Sequence, residues 1–173
     1  MKTLYINSIL FISILFLIGC DPDPISGCTN NIACNYNSEA DEDDGSCQLP
    51  LDNPIEIISQ DEIVTGLVGD ELVAHINFRN ASCNSLTLHA FQSGPGVQPT
   101  VAKAKFCLGL PDEGVCYPWS ENESEFPISV DVFEEGDFLQ GYLLAYETGN
   151  YTMVYTIFSE SDTAEVTVNF EVN

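Results

Sequence analysis

Alternation of apolar and polar residues, repeated in short runs from residue 49 to the C-terminus, limits the possible folds most strongly. In the last run Ala164, Val166, Val168, Phe170 and Val172 alternate with polar residues, as expected of a strand with one buried face. Similar runs separated by Gly, Pro, Asn or Asp occupy 55–59, 72–79, 86–92, 101–107, 128–132, 138–146 and 151–159. No long segment has helical period. Eight or so strands within about 125 residues predict an all-β, antiparallel, immunoglobulin-like sandwich over 49–173.

Residues 1–19 have the features of a signal peptide, with Lys2 before an apolar core at 9–18. The core is shorter than the ~20 residues of a membrane span, and it is followed by Asp21 and Asp23 instead of a basic stop sequence. The ending Leu17-Ile18-Gly19-Cys20 resembles a bacterial lipobox. That resemblance implies that 1–19 are removed and that Cys20 is acylated, with chains such as palmitate. Residues 20–26 would then be a tether anchored stably in a membrane, because several acyl chains hold a protein well.

The start of the tether, Cys20-Asp21-Pro22-Asp23, is similar to surface-export signals of Bacteroidetes lipoproteins. This similarity implies an outer-membrane, surface-exposed location. The alternative is a plain tether that Pro and Asp keep extended.

The chain is strongly acidic, with a formal net charge of −23. Loss of Lys2 with the leader leaves Arg79, Lys103 and Lys105 against 27 acidic residues, a net charge of −24. Nucleic acid is excluded as a partner because phosphate binding needs clustered Lys and Arg. Cations are the natural counter-charge, although high negative charge also simply keeps an exported protein soluble.

Six cysteines remain if Cys20 is acylated, and an even number in an exported chain predicts disulfides. Six cysteines allow 15 pairings. They form an early and a late group of three, so one disulfide joins the groups or two thiols stay unpaired; we favour the first alternative. The residues are Cys28, Cys34, Cys47, Cys83, Cys107 and Cys116.

The segment 27–48 has too few aliphatic residues to build a core, so we expect disulfides, a metal ion or both to hold it. Five oxygen-bearing side chains, the ligand type that calcium prefers, lie within ten residues. They are Asn35, Asn37, Asp41, Asp43 and Asp44. A complete EF-hand loop is absent.

Residues 27–47 read GCTNNIACNYNSEADEDDGSC. They resemble a cysteine-rich repeat of secreted Bacteroidetes proteins, GCTDxxACNYDxxAxxDDGSC, which is itself similar to thrombospondin type 3 calcium repeats. The resemblance implies calcium binding, with Asn30 and Asn37 at positions where Asp is usual. The alternative is a disulfide-stapled spacer with solvated acids.

The second half resembles an uncharacterised sandwich domain of Bacteroidetes secreted proteins that carries a CWGxCY motif. The similarity runs from about residue 71 to the end and is carried by Phe106-Cys107-Leu108-Gly109, Val115-Cys116-Tyr117-Pro118, 137–142, 155–158 and 166–170. It implies a Cys107–Cys116 disulfide and an envelope location, and no activity. Leu108 stands where Trp is usual, and 110–114 are inserted between the cysteines.

No catalytic residues are predicted. His75 and His89 fall on strand positions opposite the aliphatic face, and the sequence contains neither a Gly-x-Ser-x-Gly elbow nor a His-Glu-x-x-His motif. An exposed aromatic patch at Trp119 and Tyr117 would offer a ligand platform. Asp162-Thr163-Ala164 resembles the Bacteroidetes O-glycosylation pattern, which implies glycosylation of Thr163.

Two functions fit these features. The first is a lipid-anchored, non-enzymatic binding or adhesion module of the cell envelope, with a protein or glycan partner, which calcium would stiffen if the 27–48 segment binds it. The second is a structural or accessory subunit of an envelope protein complex. A broad apolar patch on one sheet would favour the second function.

Overall fold

A computed structural model describes residues 23–94, 100–118, 123–160 and 162–173. These residues form twelve β-strands, and among them no helix is long and apolar enough to cross a membrane. The strands are β1 (Ser26–Gly27), β2 (Glu42–Asp43), β3 (Ile55–Gln60), β4 (Ile63–Gly66), β5 (Glu71–Asn80), β6 (Leu86–Ser93), β7 (Ala102–Leu108), β8 (Val115–Pro118), β9 (Ile128–Val130), β10 (Glu135–Ala145), β11 (Gly149–Phe158) and β12 (Thr163–Val172).

The chain divides into two compact units. The first contains the described part of the segment up to Asn31 together with Asn35–Cys47. Its only regular structure among the described residues is the short parallel pair of β1 and β2. The second unit contains Ile32–Cys34 and Gln48–Asn173.

The second unit is a sandwich of two five-stranded sheets. The first sheet has the order β3-β5-β10-β7-β8 and the second the order β4-β12-β11-β6-β9. Neighbouring strands are antiparallel except β4 and β12, which pair in parallel at one edge. The predicted all-β, immunoglobulin-like sandwich is confirmed.

Inward-facing side chains of both sheets form a single core. In β12 the alternate residues predicted to face inward are all buried, and β5 and β11 follow the same pattern. The largest core side chains include Phe78 and Phe106 from the first sheet and Tyr155 and Phe170 from the second. Each such side chain contributes about 1.5–3 kcal/mol by leaving water, so this burial is the main force that holds the sheets together.

Each of the eight predicted runs corresponds to a strand of the sandwich. Strands β4 and β8 were not predicted. Both are four-residue strands at sheet edges, and such short segments cannot display the alternation that identifies the longer strands.

Asn80, at the end of β5, is completely buried and organises the loops around it. Its Nδ2 donates to the carbonyl oxygens of Asn84 and Val130 at 2.8 and 3.0 Å. Its Oδ1 accepts from the backbone N–H and the hydroxyl of Ser82 at 2.9 and 2.7 Å. Its own carbonyl accepts from the N–H of Phe133, which has a left-handed backbone with φ of 56°. One side chain therefore joins the loop after β5 to the turn between β9 and β10.

We expect Asn80→Ala to lower the free energy of unfolding by about 3 kcal/mol, because it removes four hydrogen bonds and takes the side-chain donor away from the buried Val130 carbonyl. Asn77→Ala on the same strand is the matched control. Asn77 faces outward with one side-chain bond, to the Ser59 hydroxyl at 2.9 Å, so its loss should cost less than about 1 kcal/mol. Urea denaturation measures both; equal losses would contradict this role for Asn80.

Tyr155 crosses the core from the second sheet and reaches the backbone of β10. A Cβ atom at Gly141 would lie 2.1 Å from the Tyr155 hydroxyl, so glycine is required at this close approach. The hydroxyl is buried with no hydrogen-bond partner among the described residues, and the amide of its strand neighbour Gln92 is in the same state. Burial raises the pKa of the Tyr155 hydroxyl, so this group stays neutral at physiological pH.

We expect Tyr155→Phe to leave the protein equally stable or to stabilise it by up to about 1 kcal/mol, because it removes an unpaired buried hydroxyl. Tyr151→Phe is the control, since the Tyr151 hydroxyl donates to the Glu147 carbonyl at 2.8 Å. That variant should be destabilised by about 1 kcal/mol. Thermal unfolding followed by circular dichroism distinguishes the two; a clear loss of stability in Tyr155→Phe would show that its hydroxyl has a partner.

Candidate functional site

The prediction of disulfide bonding is confirmed by three bridges: Cys28–Cys47, Cys34–Cys83 and Cys107–Cys116. The first closes the first unit. The second joins the early and late groups of the sequence and lies within the second unit. The third, which the family resemblance implied, joins directly opposite residues of β7 and β8.

The predicted calcium ligands lie in the first unit, where most of them make local hydrogen bonds. Side-chain oxygens of Asn37, Asp43 and Asp44 each accept the N–H of the residue two positions later, at 2.9–3.1 Å. These are Asx turns, which shape a loop without a metal. Hydrogen bonds from the Ser46 hydroxyl and N–H hold the pKa of the Asp44 carboxyl below its ordinary value.

The remaining two predicted ligands also bond to backbone. Asp41 Oδ2 accepts from the N–H of Ile25 at 3.3 Å, and Asn35 Nδ2 donates to the Ser46 carbonyl at 2.7 Å. Within the part of the chain that the structure describes, no three His, Cys, Asp or Glu side chains are placed to hold one metal ion. Asp41, Asp43 and Asp44 therefore do not form such a group. Calcium binding stays a prediction from the sequence pattern.

Tyr117 is buried and cannot be part of an exposed aromatic platform with Trp119. The Tyr117 side chain is 2% exposed and stacks on Phe106 with ring centroids 5.1 Å apart. Its hydroxyl bonds to the N–H and carbonyl of Phe126 at 3.1 and 3.3 Å. Tyr117 is a core residue that fixes the segment before β9, because its β8 position faces inward. Trp119 lies outside the described residues, as does Cys20.

Both histidines point away from the core and are held by neighbours. His75 Nδ1 lies 2.5 Å from Asp137 Oδ2, and the backbone N–H of His75 donates to Asp61 Oδ2 at 2.8 Å. His89 stacks on Phe158 at 5.6 Å and its Nδ1 lies 3.4 Å from the Ser124 hydroxyl. That hydroxyl is buried and accepts the N–H of Ala90, so the pair fastens Ser124 to β6 rather than presenting a nucleophile.

Thr163 and Asn80, residues in two different glycosylation patterns, differ in exposure. Thr163 is exposed at the first residue of β12, so its hydroxyl is accessible. Asn80, which begins an Asn-Ala-Ser triplet, is completely buried and its Nδ2 is fully bonded. It is therefore not an acceptor in the folded chain.

All Lys and Arg side chains among the described residues lie on the outward face of the first sheet. Arg79 is near one end of β5 and forms an ion pair with Glu56 of β3. Lys103 and Lys105 are on β7, nearer the opposite end of the sheet. In a chain with 27 acidic residues, this face is where positive charge is concentrated.

The lysines belong to two rows of side chains that run across the strands. In one row Val73, Tyr142, Lys105 and Pro118 are register partners on β5, β10, β7 and β8. In the adjacent row Leu144 lies between Glu71 and Lys103. The two rows enclose a groove of about 220 Å³, here called the lysine groove. Its lining includes Glu71, Lys103, Lys105, Pro118, Tyr142 and Leu144.

The two ammonium groups of the lysine groove have different surroundings. Lys105 Nζ lies 3.0 Å from Glu71 Oε1 and 4.5 Å from the centre of the Tyr142 ring. Lys103 is exposed, its Nζ lies 5.8 Å from the centre of the Tyr146 ring, and it forms no ion pair with any described residue. The groove thus offers one uncompensated cation, one compensated cation and an apolar floor.

Sequence reasoning counted these cations but did not place them together. The signal was present in Ala102-Lys103-Ala104-Lys105-Phe106, whose alternation puts both lysines on one face. What the sequence could not give is the strand order, which places β10 and its Tyr142 beside β7.

No family model and no curated protein match this sequence. Among solved structures, a conjugative transposon lipoprotein from Bacteroides eggerthii is similar over 67% of this chain and 93% of its own, at 10% identity and a TM-score of 0.42. A lipoprotein from Bacteroides thetaiotaomicron is similar over 74% and 85%, at 12% identity and 0.40. A family 123 glycoside hydrolase from Clostridium perfringens is similar over 63% of this chain, at 11% identity and 0.41. This chain spans 22% of the hydrolase. These similarities carry no inference about function.

Proposed function

We propose that this protein is a lipid-anchored, non-enzymatic binding module of the cell envelope, which presents the outward face of its first sheet to a ligand. One observation carries the binding role: the Lys and Arg side chains that the structure describes share that face of an otherwise acidic chain with Tyr142 and Leu144. The lipobox-like ending at Cys20 supports the anchor. The acidic residues that follow Cys20 support a surface-exposed position on the outer membrane.

The absence of catalytic chemistry from this proposal follows from what the polar side chains do. His75 and His89 are engaged with Asp137 and Ser124, and the Ser124 hydroxyl is buried. The lysine groove contains ammonium groups and a carboxylate that are at least partly exposed to water. Such groups bind and orient charged ligands through charge-assisted hydrogen bonds.

The second candidate, an accessory subunit of an envelope complex, is favoured by a separate feature. Ile63 on edge strand β4 and Leu67 and Val68 just after it are large apolar side chains that are 43–62% exposed. Exposed apolar clusters at a sheet edge are typical of protein contacts. Replacing all three with Ser should release the protein from such a complex in pull-down experiments and leave ligand binding on the first sheet unchanged.

Cys20→Ser should move the protein from the membrane fraction to the soluble fraction, because the acyl chains are the proposed anchor. Mass spectrometry of the unaltered protein should show an acylated N-terminal peptide beginning at Cys20. The double variant Cys107→Ser/Cys116→Ser is the control for cysteine loss and should stay in the membrane fraction. An unmodified Cys20, or full membrane retention of Cys20→Ser, would exclude the anchor.

Calcium at about 0.1–1 mM should protect residues 27–47 from proteolysis, because a divalent cation would relieve repulsion among Asp41, Glu42, Asp43 and Asp44. Asp43→Ala/Asp44→Ala should abolish this protection. Glu165→Ala/Glu171→Ala on β12 removes the same charge elsewhere and should leave protection intact. Identical digestion with calcium and with a chelator would show that the segment is a stapled spacer.

A further inference from the structure

We propose that the lysine groove binds a glycan unit that carries one isolated carboxylate, such as a terminal uronic acid. The inference rests on the proposed binding function and goes beyond it by naming the chemical class of the ligand. It follows from the shape of the groove, the unequal surroundings of its two ammonium groups and the charge of the whole chain.

The floor of the groove suits a single ring. Tyr142 contributes an aromatic ring, one face of which is covered by Lys105 Nζ at 4.5 Å, so a sugar would stack on the other face. Leu144 lies beside Tyr142 in the next row, and Pro118 lies at the edge of the sheet. An aromatic ring is the usual partner for the C–H face of a sugar. Binding sites for larger organic ligands measure about 300–1,000 Å³, and this groove measures about 220 Å³. It therefore accommodates one ring and leaves the rest of a glycan in solvent.

The two lysine side chains on the rim of the lysine groove favour a ligand that carries a carboxylate. Lys103 has no carboxylate partner among the described residues, so an incoming carboxylate can form a charge-assisted hydrogen bond there without displacing another. Lys105 already shares its charge with Glu71 and the Tyr142 ring. One carboxylate, near Lys103, is therefore what the groove can neutralise.

Glu71 distinguishes a sugar from an acidic peptide. Its carboxylate lies on the rim next to Lys105, where it accepts hydrogen bonds from hydroxyl groups and repels a second carboxylate. A ring with several hydroxyls and one acid satisfies both conditions. A run of acidic side chains satisfies neither.

The negative charge of the whole chain disfavours polyanions as ligands, because it repels them. The protein as a whole is strongly acidic, with a net charge of −23. A polyanion would extend past the groove into this negative field, whereas a single carboxylate sits within the Debye length, about 8 Å at physiological salt, of Lys103. Low ionic strength should therefore weaken polyanion binding relative to binding of a monovalent acid.

The test titrates methyl β-D-glucuronide into the disulfide-bonded, soluble Cys20→Ser protein, with methyl β-D-glucoside as the neutral probe, and follows amide NMR shifts. We expect the glucuronide to shift Lys103, Lys105, Tyr142 and Leu144 and to bind at least tenfold more tightly than the glucoside. Polygalacturonate should bind more weakly per ring at 20 mM than at 150 mM salt. Equal binding of acid and neutral probes would overturn the inference.

Variants distinguish binding in the lysine groove from a non-specific effect of the charge on this face. Lys103→Met should remove the preference for the glucuronide while weak glucoside binding remains, and Tyr142→Ala should weaken both. Arg79→Met makes the same charge change on the same face outside the groove and should preserve the preference. Equal effects of Lys103→Met and Arg79→Met would also overturn the inference.

Two further outcomes distinguish this inference from the proposed function. Binding of hexaglutamate at the groove without glucuronide would refute the glycan ligand and leave a binding role for the face. If a neutral glycan shifted the amide resonances of the groove residues as strongly as the glucuronide, the requirement for a carboxylate would be refuted, while the binding role of this face would remain. Failure of every probe to shift any residue of the first sheet would count against both.

Discussion

The rest of the sandwich depends on burying one side of each strand, because side chains alternate between the two faces with a period of two. Ala102, Ala104 and Phe106 face the core, so Lys103 and Lys105 must share the opposite face. The same rule on β10 buries Gly141 and Leu143 and turns Tyr142 outward. A slip of one residue in the register would reverse these faces and bury both lysines, at a large cost in desolvation. The core thus determines which side chains can meet a ligand.

Where hydrophobic burial is insufficient, covalent and polar links replace it. The first unit has two-residue strands and a Cys28–Cys47 bridge. The bridge restricts the unfolded chain and so stabilises the folded state by a few kcal/mol. In the sandwich, Cys107–Cys116 fastens edge strand β8 to β7 and so fixes Pro118 at the rim of the lysine groove. Asn80 does the same for the loops after β5 without a covalent bond.

The sequence was sufficient to predict those features that depend on local pattern. Alternation identified the long strands because each of them is half-buried. The pairing of Cys107 with Cys116 came from the family resemblance, since six cysteines alone allow 15 pairings. The sequence was not sufficient for features that depend on which distant segments become neighbours. Tyr117 is one example, since nothing in Val115-Cys116-Tyr117-Pro118 shows that its ring stacks on Phe106. The parallel pairing of β4 with β12 is another. The groove needed the order β5-β10-β7-β8, which brings together residues 71–144 in a way that no local pattern encodes.

The lysine groove is a local site of positive charge on a strongly acidic chain, and the two features act together on charged ligands. A surface that is negative nearly everywhere repels anionic polymers and other copies of the chain, which favours a soluble, separate protein. Two lysines on one face create a local exception whose range is limited by screening to about one Debye length. The neighbouring Glu71 compensates the charge of Lys105, which leaves Lys103 as the uncompensated positive charge of the groove. For the ligand proposed above, weak attraction at a single point within general repulsion would favour selectivity, because the ligand would have to place its one charge at Lys103.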